Sequence, residues 1–455
     1  METAGLIGRL RDLFGVDRAV GFSLFNRAWG FVTGPVTIYL ITRYFSPDLQ
    51  GYHYTFSSFL LLQSMLELGF GVVLTQFISH EWSKLRHDTD GAISGDSKAL
   101  ARLNSLVRLG LKWYLAVAVL FLFVVGGCGL LFFGTQQTTV PEYNIAWGIL
   151  CVMVSLSIFG MAFRSFLEGS NQVGFVQSMS FAGAIVSTVA GWTAIYFGAG
   201  IYSICVMVGT SAVFNVVSML PRCRPFLRLR VSQNDVQLGS ISWLEEFWPQ
   251  QWRIGLSWLS GFLMFQAFVP VMFYFHGPVA AGKLGASMRL YDIVNSVGLS
   301  WANAIGPTMG ILGARKDYAG LRDLVRRTLK RSFVATSVAA LSMWAIMRTL
   351  NAYGVPQADR FTDMVSITLL LITAVVMQLS HVETIAIRFQ KIEPFMSIAV
   401  VSAVLVLLSN VFLGSRYGVM GFVGGFASTM AFILVPVIHR IYGREITRFQ
   451  DSATS

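Results

Sequence analysis

The sequence predicts an all-α polytopic membrane protein, with twelve transmembrane helices as two six-helix bundles around a central cavity and both termini cytoplasmic. Three observations support this fold class: the composition, the length of the uncharged stretches and the positions of Lys and Arg. Only 13% of the 455 residues are charged, about half the fraction found in soluble domains, and the mean hydropathy is +0.61. This composition excludes a soluble enzyme, a disulfide-linked secreted domain and a disordered chain.

The uncharged stretches are long enough to cross a bilayer. No Asp, Glu, Lys or Arg occurs from Trp113 to Pro141 or from Gly169 to Pro221. A helix rises about 1.5 Å per residue and the hydrocarbon core is about 30 Å thick, so the second stretch predicts two spans with a turn at 198–200. Along the whole chain, spans are predicted at 19–42, 53–77, 111–133, 145–166, 174–197, 201–220, 252–275, 284–306, 332–349, 364–387, 395–414 and 418–438.

Lys and Arg are distributed unequally between the two ends of these spans. With a cytoplasmic N-terminus, most of the 34 Lys and Arg lie in cytoplasmic segments. The predicted external segments then hold only Arg43, Lys283, Arg348, Arg360 and Arg416. Because cytoplasmic loops carry the excess of Lys and Arg, both termini are predicted to lie inside. The same asymmetry explains the net charge of +11 without a nucleic-acid partner.

An internal repeat divides the chain into two halves. Residues 103–112 read LNSLVRLGLK and residues 321–330 read LRDLVRRTLK, with six identities at fixed spacing; PVTIY at 35–39 recurs more weakly as PVMFY at 270–274. Parallel repeats of this kind are typical of transporters with a site between two bundles. The predicted domains are an interfacial amphipathic segment at 1–18, a first six-helix lobe at 19–220, a cytoplasmic linker at 221–251, a second lobe at 252–440 and a cytoplasmic tail at 441–455.

The first predicted span is not a cleavable signal peptide. It contains Asn26 and Arg27 and is longer than the apolar region of a signal peptide. Arg27 lies nine residues past Arg18, roughly 13 Å deeper along a helix. Glu67 lies in the middle of the second span. Charged groups at such depth need a partner or water, and two interpretations stay open: an Arg27–Glu67 bridge, or contact of each with a ligand.

Further charged residues of the predicted spans allow similar alternatives. Arg289 and Asp292 are three residues apart, so they form either an ion pair within one helix or part of a site. Glu383 has Arg388 as a possible partner, and His381 is more often a packing residue than a proton relay. The candidate substrate-binding cations are Arg27, Arg253 and Arg289; the candidate coupling or cavity acids are Glu67, Asp292 and Glu383; the supporting polar residues are Asn26, Gln63, Asn295, Asn303 and His381. No catalytic residue, cofactor or metal site is predicted, because the four cysteines lack metal-ligand spacing.

Several stretches resemble the polysaccharide-transporter branch of the MATE-like multidrug/oligosaccharidyl-lipid/polysaccharide flippase superfamily. RYFSPDLQGY at 43–52 resembles the turn after the family's first span, and 67–78 resembles its acidic-Leu-Gly helix. Residues 164–169 resemble the end of its fourth span, and parts of 282–317 resemble the matching stretch of the second half. Gln76 departs from the basic residue that is frequent there.

The resemblance implies an alternating-access flippase in a bacterial inner membrane. Its substrate would be an undecaprenyl-pyrophosphate-linked oligosaccharide for O-antigen, capsule or exopolysaccharide biosynthesis, with arginines holding the pyrophosphate. Membrane lipids and a polysaccharide polymerase or other assembly proteins are the expected partners. The alternative with the same fold is a cation-coupled multidrug exporter that uses the acidic residues. A membrane enzyme is not expected, because no external loop is long enough to form a catalytic domain, and a non-transporting scaffold would leave the buried charges unexplained.

Overall fold

The structure is a computed structural model that describes residues 18–87, 92–134, 140, 142–229, 241–390 and 392–454. At 18–21, 23–24, 27–28, 250 and 451–454 only the backbone is described. The predicted interfacial segment 1–18 therefore lies outside the described residues, apart from the backbone of Arg18. Apart from one short β-hairpin, the described regular structure is helical, which confirms the predicted all-helical class of membrane protein.

The chain forms two compact units, and each takes part of the second predicted span. The first contains 1–44 and 60–258, and the second contains 45–59 and 259–455. The elements that begin in the first unit are α1 Arg18–Tyr44, α3 Leu62–Glu67, α4 Phe70–Trp82, the hairpin β1 Leu85–His87 and β2 Ile93–Gly95, α5 Ser97–Gly134, α6 Tyr143–Gly169, α7 Val173–Tyr196, α8 Tyr202–Leu227 and α9 Trp248–Phe265. β1 and β2 are antiparallel, with Arg86 opposite Ser94.

The second unit begins with a helix that lies between α1 and α3 in the sequence. Its elements are α2 Pro47–Leu60, α10 Phe268–Ala314, α11 Tyr318–Ala352, α12 Met364–Arg388, α13 Met396–Ser409, α14 Ser415–Thr429 and α15 Val435–Thr454. Single π-helical turns, Asn410–Gly414 and Met430–Leu434, join the last three helices. The charge-free spans of the sequence thus lie on helices, while the lobe boundaries predicted above stay a prediction.

The helices are long and apolar enough for a polytopic membrane protein. In the described part of the chain, eight continuous helices could each cross a bilayer by length and composition, and nine if the bent pair Pro47–Glu67 and Phe70–Trp82 is one span. Two of the eight, Gln251–Ala314 and Met396–Gln450, have 64 and 55 residues, which is enough for two crossings each. The twelve-span count and the cytoplasmic termini stay predictions.

Glycines with positive φ interrupt the long helices. Gly277 has φ 79° inside α10 and Gly418 has φ 60° inside α14, a region that only glycine enters at little cost. Gly198 and Gly200, with φ 78° and 55°, form the turn predicted between α7 and α8. These positions therefore mark where a long apolar stretch divides.

The repeated decapeptides occupy corresponding places on two helices. Residues 103–112 lie on α5 and residues 321–330 on α11, and an aspartate caps each helix. Asp96 accepts from Lys98 N at 3.2 Å, and Asp317 accepts from Gly320 N at 2.8 Å. On both helices the apolar positions of the repeat face the unit's interior and the basic positions are exposed. The repeat in the sequence therefore corresponds to a repeat in the structure.

Candidate functional site

The candidate site of the first unit is built around a broken helix. α3 ends at Glu67, and both Leu68 and Gly69 adopt left-handed backbone conformations, with φ 52° and 69°. α4 starts at Phe70, and the two halves of the span are bent by 44°. Breaks of this kind expose backbone groups that ligands or side chains can satisfy.

The side chain of Glu67 accepts hydrogen bonds at the break in the helix. Its Oε1 accepts the Tyr114 hydroxyl at 2.7 Å and the backbone N–H of Gly71 at 3.2 Å. The carboxylate thus caps the start of α4, where the helix dipole favours a negative charge. Only 8% of the residue is exposed, so the carboxylate is closed off from a ligand.

Glycine and aliphatic packing seal the same pocket. A Cβ at Gly71 would lie 2.5 Å from Tyr114 Oη, 2.6 Å from Glu67 Oε1 and 3.3 Å from Ser165 Oγ. On the other side, a Cβ at Gly69 would lie 2.2 Å from Ile254 Cγ2 of α9. There is therefore no room for a further group between the carboxylate and its neighbours.

The predicted partner of Glu67 lies outside the described side chains. Arg27 lies on α1, but only its backbone is described, so the Arg27–Glu67 bridge stays a prediction. Asn26, beside it, is half-buried, as is Gln63 on α3. Tyr114 and Ser165 were not predicted, because a polar contact between helices leaves no spacing in the sequence.

In the second unit, the Arg289–Asp292 pair is accessible. Arg289 Nη1 lies 3.4 Å from Asp292 Oδ2, and the side chains are 41% and 44% exposed. Arg289 lies five residues past the start of the span predicted at 284–306, about 8 Å along the helix. The ion pair predicted from the spacing is thus present, and it leaves most donors of the guanidinium available.

Polar neighbours surround Arg289 within its own unit. His53 and Tyr54 of α2 are buried, and both are close enough to Arg289 to interact with its charge. Two residues before it, Ser287 Oγ accepts the backbone N–H of Thr362 at 3.0 Å, which fixes α10 to the segment before α12. Arg289 therefore projects from a rigid part of the second unit.

The predicted polar stripe of α10 is only partly available to a ligand. Asn295 is half-buried, and its Oδ1 accepts Gln378 Nε2 of α12 at 3.0 Å. Gln378 Oε1 in turn accepts the hydroxyl of Ser332 of α11 at 2.9 Å. Asn295 thus belongs to a network that joins three helices, whereas Asn303, farther along α10, is half-buried.

The alternative pairing considered for Glu383 is wrong. Glu383 Oε1 lies 2.7 Å from Nδ1 of His439 on α15, whereas Arg388 makes two hydrogen bonds to Glu393, at 2.6 and 3.1 Å. Glu383 is only 1% exposed, so it is as closed as Glu67.

Two further predicted residues, His381 and Arg253, have surroundings of a different kind. His381 is half-buried in α12, and its buried Nε2 atom has no hydrogen-bond partner in the described part of the chain. Arg253 is exposed on α9 of the first unit, with its guanidinium 5.7 Å from the ring of Trp252. Among the predicted charged residues, the structure brings Arg289 and Asp292 together.

Residues of the motif at 43–52 pack α2 against other parts of the second unit. Gln50 Nε2 donates to the carbonyl oxygens of Gly282 and Arg360 at 3.0 and 2.9 Å. Arg360 donates to the carbonyl of Phe45 at 2.7 Å. A Cβ at Gly51 would lie 1.9 Å from the carbonyl oxygen of Pro278. The motif therefore fixes α2 against α10, the helix that carries Arg289.

Solved structures with this fold are transporters and a flippase. A multidrug resistance MATE family transporter of the MOP superfamily, in an inward-facing conformation, has a TM-score of 0.66 at 13% identity and covers 92% of this chain and 96% of its own. The lipid II flippase MurJ, inward closed, gives 0.62 at 12% over 95% of this chain and 90% of its own. A variant of the Vibrio cholerae MATE transporter VcmN gives 0.55 at 14% over 95% and 98%.

These similarities establish the fold. No protein-family model matches the sequence, and no curated protein matches it. The chain has the fold of MOP-superfamily transporters, and the structural neighbours named here are transporters and flippases, not enzymes. It is a multi-pass membrane protein by its apolar helices and by this fold.

Proposed function

We propose that the protein is a flippase that moves an undecaprenyl-pyrophosphate-linked oligosaccharide from the cytoplasmic to the periplasmic leaflet of a bacterial inner membrane. The product would serve the biosynthesis of a surface polysaccharide such as O-antigen, capsule or exopolysaccharide. A polymerase or other assembly protein would then receive it. Among the structural neighbours, a lipid II flippase acts on a lipid-linked substrate, which supports this class.

The observation that carries the proposal is the difference in access among the charged residues at membrane depth. Glu67 and Glu383 are buried and hydrogen-bonded, whereas the side chain of Arg289 on α10 is 41% exposed. A charged group at this depth requires water or a ligand. The accessible cation therefore favours an anionic ligand.

The chemistry of Arg289 suits a pyrophosphate. In its ion pair, one nitrogen of the guanidinium faces Asp292 at 3.4 Å, so the rest of the planar donor fork can bind phosphate oxygens in a bidentate manner. Asp292 would balance the charge of Arg289 when no substrate is bound. Arg253, exposed beside Trp252 in the first unit, stays a predicted candidate for binding the substrate.

The multidrug exporter is the second candidate, and Asp292 is the residue that favours it. Asp292 is 44% exposed and could attract a cationic compound or a coupling ion. An exporter that bound its cation at Glu67 or Glu383 would first have to open access to a buried carboxylate that already holds a hydrogen bond of 2.7 Å. The flippase requires no such opening, and for this reason we prefer it.

A deletion strain tests the proposed function. We expect loss of the surface polysaccharide, with intact lipid-linked precursors held on the cytoplasmic face of the membrane. Normal polysaccharide together with increased sensitivity to cationic compounds would contradict the flippase and support the exporter.

Complementation of that strain tests the role of Arg289. Arg289→Ala should not restore the polysaccharide, and Arg289→Lys should restore it partly, because lysine keeps the charge but not the donor fork. Arg315→Ala is the matched control, since Arg315 is an exposed arginine at the end of the same helix. Equal membrane levels of the three variants would exclude misfolding as the cause.

A further inference from the structure

A continuous stripe of α11 changes from apolar to basic near one end. Val334, Val338 and Leu341 are exposed apolar residues spaced by four and three positions, so they share one face of the helix. Arg331 and Arg327 continue the same stripe and are exposed as well. Exposed aliphatic side chains on a membrane helix contact acyl chains. The two arginines continue the stripe beyond its apolar part, so we infer that they lie at the level of the lipid headgroups.

The end of α15 packs beside this part of α11. The rings of Tyr318 and Phe449 are stacked, with centroids 5.6 Å apart. Arg322 Nη2 donates to Gln450 Oε1 at 3.1 Å. Because the start of α11 meets the end of α15, the helices run in opposite directions here and bring their basic residues to similar levels.

The adjoining ends of the two helices carry a group of exposed basic residues, which we call the basic face. We use this name for the exposed basic residues Arg322, Arg326, Arg327, Lys330, Arg331, Arg440, Arg444 and Arg448. Between 318 and 331 and between 440 and 450, the acidic residues are Asp323, which pairs with Arg327, and Glu445, which pairs with Arg448 at 3.9 Å. Most of the positive charge of the basic face is therefore not neutralised by the protein within these two stretches.

The repeat provides an internal comparison in the first unit. On α5, Arg108 and Lys112 correspond to Arg326 and Lys330, but Arg102 on the same helix is paired with two acids. Its Nε lies 3.1 Å from Glu81 Oε1, and its Nη2 contacts Glu246. Arg102, which precedes the repeat on α5, is thus neutralised, and the repeat on α11 contains one ion pair of its own, Arg327–Asp323.

We propose that the basic face binds the anionic phospholipid headgroups of the surrounding membrane. The apolar stripe of α11 fixes the level of the surface at the headgroups, and the cations of the basic face outnumber the two acids that pair with them, Asp323 and Glu445, so the excess complements phosphate charge. Positive charge on cytoplasmic segments would by itself set only the orientation of the spans. Here, the contact between the start of α11 and the end of α15 brings basic residues of both helices together at these helix ends.

The experiment measures lipid binding to the purified full-length protein by native mass spectrometry. The protein in neutral detergent is titrated with phosphatidylglycerol or phosphatidylcholine of identical acyl chains. We expect preferential retention of phosphatidylglycerol that weakens with salt, because salt screens exposed charges. No preference for phosphatidylglycerol would overturn the proposal and point to an acidic protein partner instead.

Charge-matched variants locate the binding. The variant Arg326→Gln/Arg331→Gln/Arg440→Gln/Arg444→Gln should lose at least about tenfold in phosphatidylglycerol affinity, since each basic residue near an anionic surface contributes severalfold. The same four positions changed to Lys should bind as the wild type does. Lys84→Gln/Lys98→Gln/Arg108→Gln/Lys112→Gln removes equal charge from the first unit and should keep the preference.

Two outcomes would contradict the location. The first is unchanged binding in the four-Gln variant of the basic face. The second is an equal loss in the first-unit variant, which would mean that net charge alone determines retention. The four-Lys variant separates a folding defect from a charge effect, and none of these measurements depends on the transported substrate.

Discussion

Glu67 in the first unit and Arg289 in the second are both charged residues at membrane depth, but their surroundings differ. Glu67 lies at a break in its span, accepts two hydrogen bonds and is 8% exposed. Arg289 projects from a continuous part of α10, has one partner at 3.4 Å and is 41% exposed. The comparison teaches that depth alone does not define a ligand site: the hydrogen bonds of the group and its access decide whether it can bind one.

The largest expected effect comes from the accessible residue. Arg289→Ala should weaken binding of a polyprenyl pyrophosphate by roughly 100-fold, about 3 kcal/mol, because it removes one partner of a charged, hydrogen-bonded pair. Titration of the purified protein with the lipid measures this loss. Asp292→Asn should bind at least as tightly as the wild type, since the competing carboxylate is gone; weaker binding would assign the site to a cation.

A second prediction concerns the closed pocket and does not involve transport. Gly71→Ala should lower the free energy of unfolding by about 2 kcal/mol, because its Cβ overpacks Tyr114 and Glu67. Gly127→Ala is the control, since nothing lies within 4 Å of a Cβ at Gly127 and alanine favours a helix. Denaturation of both variants in detergent checks the difference. Equal stability of the two would mean that the Glu67 pocket has free space.

A third prediction separates a structural from a coupling role of Glu67. Glu67→Leu should lower the free energy of unfolding by about 1.5 kcal/mol, because it leaves the Tyr114 hydroxyl without an acceptor. Glu67→Gln keeps an acceptor oxygen and should be nearly as stable as the wild type. If Glu67→Gln is stable but inactive in polysaccharide export, the carboxylate also carries a coupling charge, and the pocket opens during transport.

The smallest expected effect is at Asp363, which caps the start of α12 and follows Thr362, the residue that donates to Ser287. Burial alone would raise the pKa of Asp363, but hydrogen bonds from the hydroxyl and the backbone N–H of Ser366 lower its pKa below the ordinary value. The stabilisation is therefore present above the ordinary pKa of about 4 and disappears as the pH falls through the lower, folded-state pKa.

Asp363→Asn tests this dependence on pH. Asparagine caps helices as well as aspartate does, so the variant should lose only the charge contribution, about 0.5 kcal/mol at neutral pH. The difference in unfolding free energy between wild type and variant should start to fall at about pH 4 and vanish only once the pH is below the lower, folded-state pKa. A difference that is constant with pH would mean that the charge of Asp363 does not stabilise the cap.

Much of the fold could be predicted from the sequence. Charge-free stretches located the spans because a membrane helix requires them, and Gly198 and Gly200 marked a turn because few other residues adopt positive φ. The break at 68–69 was missed, since Leu68 rarely takes that conformation and hydropathy does not report it. The extension of α11 back to Tyr318 was also missed, because its first turns are charged and lie outside an apolar window.

The site could be predicted only in part. The spacing of Arg289 and Asp292 indicated their ion pair, because both residues lie on one helix. The partners of Glu67 and Glu383, namely Tyr114 and His439, come from other helices. Contacts of that kind depend on how helices pack, and a single sequence contains no period that reports them.

The most direct test of the account is a transport assay in vesicles that contain the purified protein. A fluorescent undecaprenyl-pyrophosphate-linked oligosaccharide and a fluorescent organic cation are offered to parallel samples. We predict that the wild-type protein flips the lipid, that Arg289→Ala does not, and that the cation is not moved. Movement of the cation without flipping of the lipid, with loss in Asp292→Asn rather than in Arg289→Ala, would contradict the account.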